Sequence, residues 1–295
     1  IDARGFSLVL AESLKTPFLF LPEEVFAVAA GEPAIGEAEM ALFPNLKIIA
    51  RFGRGVDNID TDAAGRRNIV VTTVPQGSAR SVAEHTIGLL FTLIRGIALC
   101  DAKMKREVWE RRRGFELFGK TIGIVGFGNI GKEISRIALG IGMRVIVFDP
   151  HVRDEQVASM QFVDMQTLLE SADVVSLHVP LVDATFRLIN AKTLGLMKPT
   201  AFLLNTSRGQ VVDEKALLEA LENNHLAGAG LDVFSEEPPF LNPILQKLIA
   251  HPRVVATSHV ASFTLEAQYE VAKTVWQNIR AAKEGKWGDI LGRAA

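Results

Sequence analysis

A single cysteine, Cys100, among 295 residues excludes an internal disulfide framework. Neither sign of charge dominates, since 32 basic side chains face 34 acidic ones for a formal net charge of −2. That balance leaves no electrostatic footprint for nucleic acid or an anionic membrane. Nor is any apolar run long enough to cross a bilayer: the best candidate, Ile87 to Cys100, is broken by Arg95 and Gly96 and lies far from the N-terminus. Internal repeats and low-complexity tracts are also missing. The absences point to a cytoplasmic chain without nucleic-acid, membrane or metal partners. What is present, 48% hydrophobic and 22% charged residues, describes a globular chain with enough apolar material for two cores.

Along the chain, short apolar runs alternate with segments of helical period. Thr121 to Val125, Arg144 to Phe148, Asp173 to Leu177, Ala201 to Leu204, Ala227 to Leu231 and Val254 to Ala256 read as buried parallel strands. Ile130 to Leu139 and Asp213 to Asn223 read as helices, the second opened by a capping aspartate. This alternation is the pattern of a doubly wound parallel sheet. Upstream, Leu46 to Ala50 and Ile69 to Thr73 are strand-like, and a long helix is expected from Arg80 to about Lys105. Thr264 to Glu284 reads as one final helix. The order predicts two α/β units, the second inserted into the first.

The stretch "IVGFGNIG" places Gly126, Gly128 and Gly131 directly after a strand and at the opening of a helix. Asp149 ends the next strand, "RVIVFDP", about twenty residues past Gly126. In that setting Gly126 permits a tight turn, Gly128 lets backbone N–H groups around Asn129 and Ile130 approach a pyrophosphate, and Gly131 lets the helix pack on the strand. Asp149 would accept hydrogen bonds from the adenosine ribose and repel a 2′-phosphate, which favours NAD over NADP. Three later strand ends carry unusual polar groups, in "LLNTSRGQVVDE", "GAGLDVFSEEPP" and "VVATSHVASFT". Ligands of such sheets bind outside the carboxyl ends of the strands, where these segments fall.

With "ARFGRGVDNID", "SVAEHTIGLL", "GKTIGIVGFGNIG" and "ADVVSLHVPL", these segments strongly resemble the D-isomer-specific 2-hydroxyacid dehydrogenase family over roughly Leu46 to Thr264. Around "VWERRRGFELFGKTIGIVG" the resemblance is nearest to phosphoglycerate dehydrogenases. It implies a Rossmann-type NAD-binding domain, residues 76–262, inserted into a flavodoxin-like substrate-binding domain formed by 1–75 and 263–295. Domain closure would hinge near Pro75 and near Ser262 to Thr264. It also implies a homodimer, paired through the helix from Arg80 onward, acting on a small 2-keto or 2-hydroxy acid in serine biosynthesis.

The family's catalytic arginine, glutamate and histidine fall on Arg208, Glu237 and His259. Glu237 is preferred to Glu236 because the family's glutamate directly precedes a proline. Thr206 and Asp232 are expected to line the nicotinamide end, and His178, Val179 and Pro180 the adenosine side. The loop Phe52 to Asn58 is expected to give backbone N–H groups to the substrate carboxylate, with Arg54 and Gly55 as contacts and Asp57 and Asn58 as turn formers. Arg54, Ser258 and Phe263 depart from the family pattern. Arg54 is the informative departure, since a guanidinium there suits a phosphate or second carboxylate and favours 3-phosphohydroxypyruvate over glyoxylate or hydroxypyruvate. The first 45 residues resemble the family only loosely, the first strand and helix customary in its substrate domain are expected to be absent, and control by serine through a C-terminal regulatory domain is not expected. The same resemblance leaves an NAD-binding corepressor as a rival reading, while a formate dehydrogenase would need glutamine in place of Glu237.

Overall fold

The computed structural model describes residues 21–31, 33–53, 55–75, 77–152 and 159–294. It divides into two compact units, one running to Gly77 and resuming at Leu265, the other spanning Ser78–Thr264.

In the first unit, β1 (Ala27–Ala30), α1 (Glu37–Ala41), β2 (Ile48–Arg51), α2 (Thr61–Arg66) and β3 (Val70–Thr72) build a three-stranded parallel sheet in the order β1-β2-β3. Period-two alternation assigns its faces. Ile49 and Val71 pack with Met40, Ala63 and Ala64 on one side, whereas Ile48 and Ala50 meet Val275, Ile279 and Ala282 of the closing helix on the other.

The second unit begins with α3 (Ala79–Arg95) and α4 (Ile97–Met104). The sequence reading expected one helix here; Gly96 divides it, ending α3 in the left-handed conformation at φ 62°. There follow β4 (Thr121–Val125), α5 (Asn129–Gly140), β5 (Arg144–Phe148), β6 (Met160–Phe162), α6 (Met165–Ser171), β7 (Val174–Leu177), α7 (Ala191–Leu194), β8 (Phe202–Asn205), α8 (Glu214–Glu222), β9 (Gly228–Leu231), α9 (Pro243–Ala250) and β10 (Val254–Ala256). The chain then returns to the first unit through α10 (Leu265–Lys283). Strand β6 escaped the sequence reading because it is three residues long with none fully buried, so it lacks the apolar run that marked the others.

All seven strands are parallel, in the order β10-β9-β8-β7-β4-β5-β6. Val174 and Leu204 face a cluster with Leu90 of α3 and Ile134 of α5, while Val175 and Leu203 face Leu168, Leu194, Leu217 and Leu245 of α6 to α9. Burying each such side chain is worth roughly 1.5–3 kcal/mol. Because both faces are covered, the strands read as continuous apolar runs. From β4 the chain winds outward to β6 and then crosses to β7 on β4's other flank. The reversal opens a crevice beyond the ends of β4 and β7.

Candidate active site

The glycine-rich turn lies at that reversal. Gly126 has φ 94°, and a side chain there would meet the His178 carbonyl oxygen at 2.6 Å. At Gly131 a side chain would meet the Gly126 carbonyl oxygen at 2.2 Å. Backbone packing therefore demands both glycines. Gly128 differs, because its φ of −73° and ψ of −164° suit any residue and a Cβ would point into open space. Its bareness serves whatever approaches the N-terminus of α5, which has no side-chain cap and carries the positive end of a twelve-residue helix dipole. These features fit a dinucleotide pyrophosphate, with Asn129 and Ile130 opening the helix.

Asp149 accepts from Phe127 N (2.8 Å) and His151 N (2.9 Å), so it braces the glycine turn while keeping lone pairs for further donors. His178 and Val179 follow β7 and press on Gly126. His178 Nε2 shares a hydrogen bond with Ser176 Oγ at 2.7 Å while Nδ1 has no partner, and burial pushes this imidazole down to about 3, leaving it neutral. Pro180 is exposed, its carbonyl accepting from Thr185 Oγ1 at 2.6 Å.

Beyond β8, β9 and β10 stand the remaining candidates. Arg208 is half-buried after β8, its Nη1 donating to Ser207 O at 2.7 Å and its carbonyl held by Asn205 Nδ2 at 2.9 Å. Next to it, Gly209 is fitted beneath the Phe234–Ser235 peptide so closely that a Cβ would lie 1.9 Å from the Phe234 carbonyl carbon. Gln210 Nε2 donates to Ser235 O at 3.1 Å, and Glu214 accepts from both Ser235 N (2.8 Å) and Ser235 Oγ. Burial pushes the Glu214 carboxyl up. The segment after Arg208 thus clasps the loop that carries Glu237.

Glu237 Oε2 lies 2.7 Å from His259 Nδ1, and its Oε1 accepts from Phe234 N at 3.0 Å. The hydrogen bond to Glu237 holds His259 above the ordinary histidine range against the opposing effect of burial, with Arg208's charge opposing it as well. Burial pushes Glu237 up, but the bonds from His259 and Phe234 N outweigh it and the carboxyl stays below its usual range. An ionised Glu237 can only accept, so Nδ1 carries a proton and Nε2 is left to titrate. Glu236 instead accepts from Asn242 Nδ2 at 2.8 Å.

Asp232 is fully buried, and its carboxylate accepts from Thr257 Oγ1 (2.5 Å), Val260 N (3.0 Å) and Ala261 N (2.9 Å). Burial alone would raise it, but these donors together with His85 keep it below the usual carboxylate range. Thr206, also buried, shares a hydrogen bond with Thr86 Oγ1 at 2.9 Å. His85, Thr86, Gln210 and Glu214 were missed by the sequence reading. For Thr86 a signal existed: a polar residue interrupts the buried positions Val82, Ala83, Ile87 and Leu90 of an apolar helix face.

In the other unit, Asn58 clasps its own loop, donating to Gly31 O and Pro33 O at 2.9 Å each and accepting from Arg51 Nε at 3.2 Å, while Gly55 is half-buried. Arg54 lies outside the described residues. Among the described residues no group of three or more His, Cys, Asp or Glu could hold a metal ion, and no helix is long and apolar enough to cross a membrane.

Residues 87–261 match the model of the D-isomer specific 2-hydroxyacid dehydrogenase, NAD binding domain. The chain belongs to this family. It is 44% identical over 246 residues to the D-3-phosphoglycerate dehydrogenase of Bacillus subtilis, covering 82% of this chain but 46% of the relative, so it spans about half of that protein's length. A hydroxypyruvate reductase from Thermotoga maritima is also 44% identical, over 77% of this chain and 74% of its own. Among solved structures, the D-lactate dehydrogenase from Aquifex aeolicus complexed with NAD and lactic acid superposes with a TM-score of 0.85 at 28% identity, covering 92% of this chain and 87% of that one. The glycine turn, Asp149 and the N-terminus of α5 all lie within the residues that match this NAD-binding domain.

The contrast among the three glycines yields a test. Gly128→Ala is expected to leave the melting temperature within about 1–2 °C of the parent, since nothing resists the methyl in the folded chain, and to weaken NADH binding by on the order of tenfold, about 1.4 kcal/mol. Isothermal titration and thermal melts measure both. Unchanged NADH affinity would remove the pyrophosphate from α5.

Proposed function

We propose that this chain is an NAD-dependent oxidoreductase interconverting a D-2-hydroxy acid and its 2-keto acid, with D-3-phosphoglycerate and 3-phosphohydroxypyruvate as its substrate pair. The observation that carries the reaction type is the 2.7 Å bond between Glu237 and His259, with Arg208 near enough for its charge to act on the histidine. The hydride gained or lost at C2 of the substrate would be supplied or taken up by NAD bound at the glycine turn. Arg208 offers a planar fork of donors that grips the substrate carboxylate and so fixes C2. In the reductive direction the His259 imidazolium gives its Nε2 proton to the carbonyl oxygen, leaving a neutral ring and a hydroxyl; oxidation runs the same transfer backwards. Glu237 holds the ring and stabilises its protonated form.

The phosphorylated substrate is supported by the Bacillus relative and by Arg54, read from the sequence. A second reading, a hydroxypyruvate or glyoxylate reductase, is favoured by the equal identity to the Thermotoga enzyme. A homodimer is part of the reading, but α3 is a poor candidate for its surface, because its apolar side is spent inside the domain on Val82, Ala83, Ile87 and Leu90. The supporting feature lies further along, where Met104, Trp109, Phe115 and Phe118 are exposed, Trp109 and Phe118 to 78% and 80%. Exposed aromatics in one short stretch need a cover.

Four measurements follow from this reading. His259→Ala is expected to lower kcat by about 10² to 10⁴ with NADH affinity nearly intact. Because Glu237 raises His259, reduction persists above the ordinary histidine range and fails as pH rises through that elevated pKa; Glu237→Gln is expected to move this alkaline limb to lower pH, and an unmoved limb counts against the dyad. A panel of 2-keto acids with NADH is expected to show 3-phosphohydroxypyruvate preferred, with Arg54→Ala weakening it by roughly 1.5–3 kcal/mol while barely changing glyoxylate. Preference for glyoxylate or hydroxypyruvate would decide for the second reading. Sedimentation equilibrium is expected to give a dimer that Trp109→Ser together with Phe118→Ser dissociates; a parent protein that is monomeric at micromolar concentration would refute the dimer.

A further inference from the structure

We propose that His85, on α3, is a positioning residue for His259, acting through Thr257 and Asp232; the inference rests on His259 as the proton carrier. His259 adopts φ 53°, a left-handed conformation that residues with a β-carbon adopt infrequently and at some cost. The turn around it is imposed from outside. His259 N donates to Asp232 O at 2.8 Å, Val260 N and Ala261 N donate to the two carboxylate oxygens, and Thr257 N donates to Leu231 O at 2.9 Å. Thr257, His259, Val260 and Ala261 are thus each tied to the end of β9, mainly through Asp232.

Asp232 has in turn to be held, and its outer oxygen is where His85 enters. Thr257 gives its one hydroxyl proton to Asp232 Oδ1 at 2.5 Å, so its oxygen has only lone pairs left. His85 Nε2 stands 3.0 Å from that hydroxyl oxygen and 3.5 Å from Asp232 Oδ1. Both atoms accept, so only a donor fits between them: Nε2 carries the proton and closes the set Asp232, Thr257, His85. Losing that donor leaves Thr257 free to turn from the carboxylate and loosens the turn at the residue two before His259.

The source of the donor is a rigid one. Helix α3 packs across β8, β9 and β10. From consecutive positions it sends His85 to Asp232 and Thr257, and Thr86 to Thr206 beyond β8. No substrate or cofactor contact is needed for this role, and a displacement of about 1 Å at a proton carrier is enough to slow turnover.

The test uses the full chain with NADH and the keto acid it reduces best, comparing His85→Leu, His85→Gln, Thr257→Val and His259→Ala. Expected are an order of tenfold loss in kcat for His85→Leu, with KM for the keto acid and Kd for NADH within about twofold of the parent, and recovery of most of the loss by His85→Gln, which restores a donor at similar reach. Thr257→Val removes the same link with a smaller change and is expected to repeat the kcat loss even if His85→Leu folds poorly. Parental kcat in His85→Leu or Thr257→Val overturns the inference, as does a His85→Gln no better than His85→Leu. Equal losses of kcat and NADH affinity also overturn it, since they report general damage to the domain. If His259→Ala keeps parental turnover, the reading beneath falls and takes the inference with it; if His259→Ala is inactive while His85→Leu is parental, only the inference falls.

Discussion

Burying a carboxylate is costly unless its oxygens are filled with donors, and Asp232 meets that condition by gathering Thr257, Val260 and Ala261 around itself, with His85 beside them. The cost is what shapes the site. A turn wrapped around a buried charge cannot relax without stranding it, so the left-handed backbone of His259 is enforced by electrostatics at a distance from its own side chain. The side chain itself remains partly open, with its Nδ1 fixed by Glu237 and its other nitrogen available.

A second constraint places the opposite members of the site. Arg208 and Glu237 sit on different loops, yet the Gly209 backbone packs on the Phe234–Ser235 peptide, and Gln210 and Glu214 hold Ser235. The close approach is possible only because position 209 lacks a side chain. The cation and the carboxylate are therefore held in one rigid framework, while the histidine is held by another, and the two frameworks meet in the Glu237–His259 bond.

Both frameworks exist because the sheet is parallel. Every strand of the larger unit ends on the same edge, so residues far apart in the chain, from Gly126 to His259, are delivered to one rim. The crossover from β6 to β7 leaves the rim open at its middle, beside the N-terminus of α5. Nothing in this delivery depends on the substrate. The relatives, carrying different substrate names on one shared architecture, are consistent with that.

Elements whose signals are local were legible in the amino-acid sequence. Apolar runs marked β4, β5, β7, β8, β9 and β10 because strands covered on both faces leave no polar alternation, and "GFGNIG" after a strand marked the turn because helix and strand cannot meet there without glycine. Arg208, Glu237 and His259 were named as candidates through resemblance to a family rather than through spacing. The sequence did not show the break at Gly96 within an otherwise continuous helical pattern, nor β6, whose three residues carry too little apolar material to register. Above all it did not show that Asp232 is a buried support with its oxygens engaged by its own chain, that Gly209 lies under Phe234, or that His85 and Thr86 reach the ends of strands more than a hundred residues away. Those facts were decided only by the tertiary structure, because hydrogen bonds and close backbone approaches between distant segments leave no periodicity in the chain that makes them.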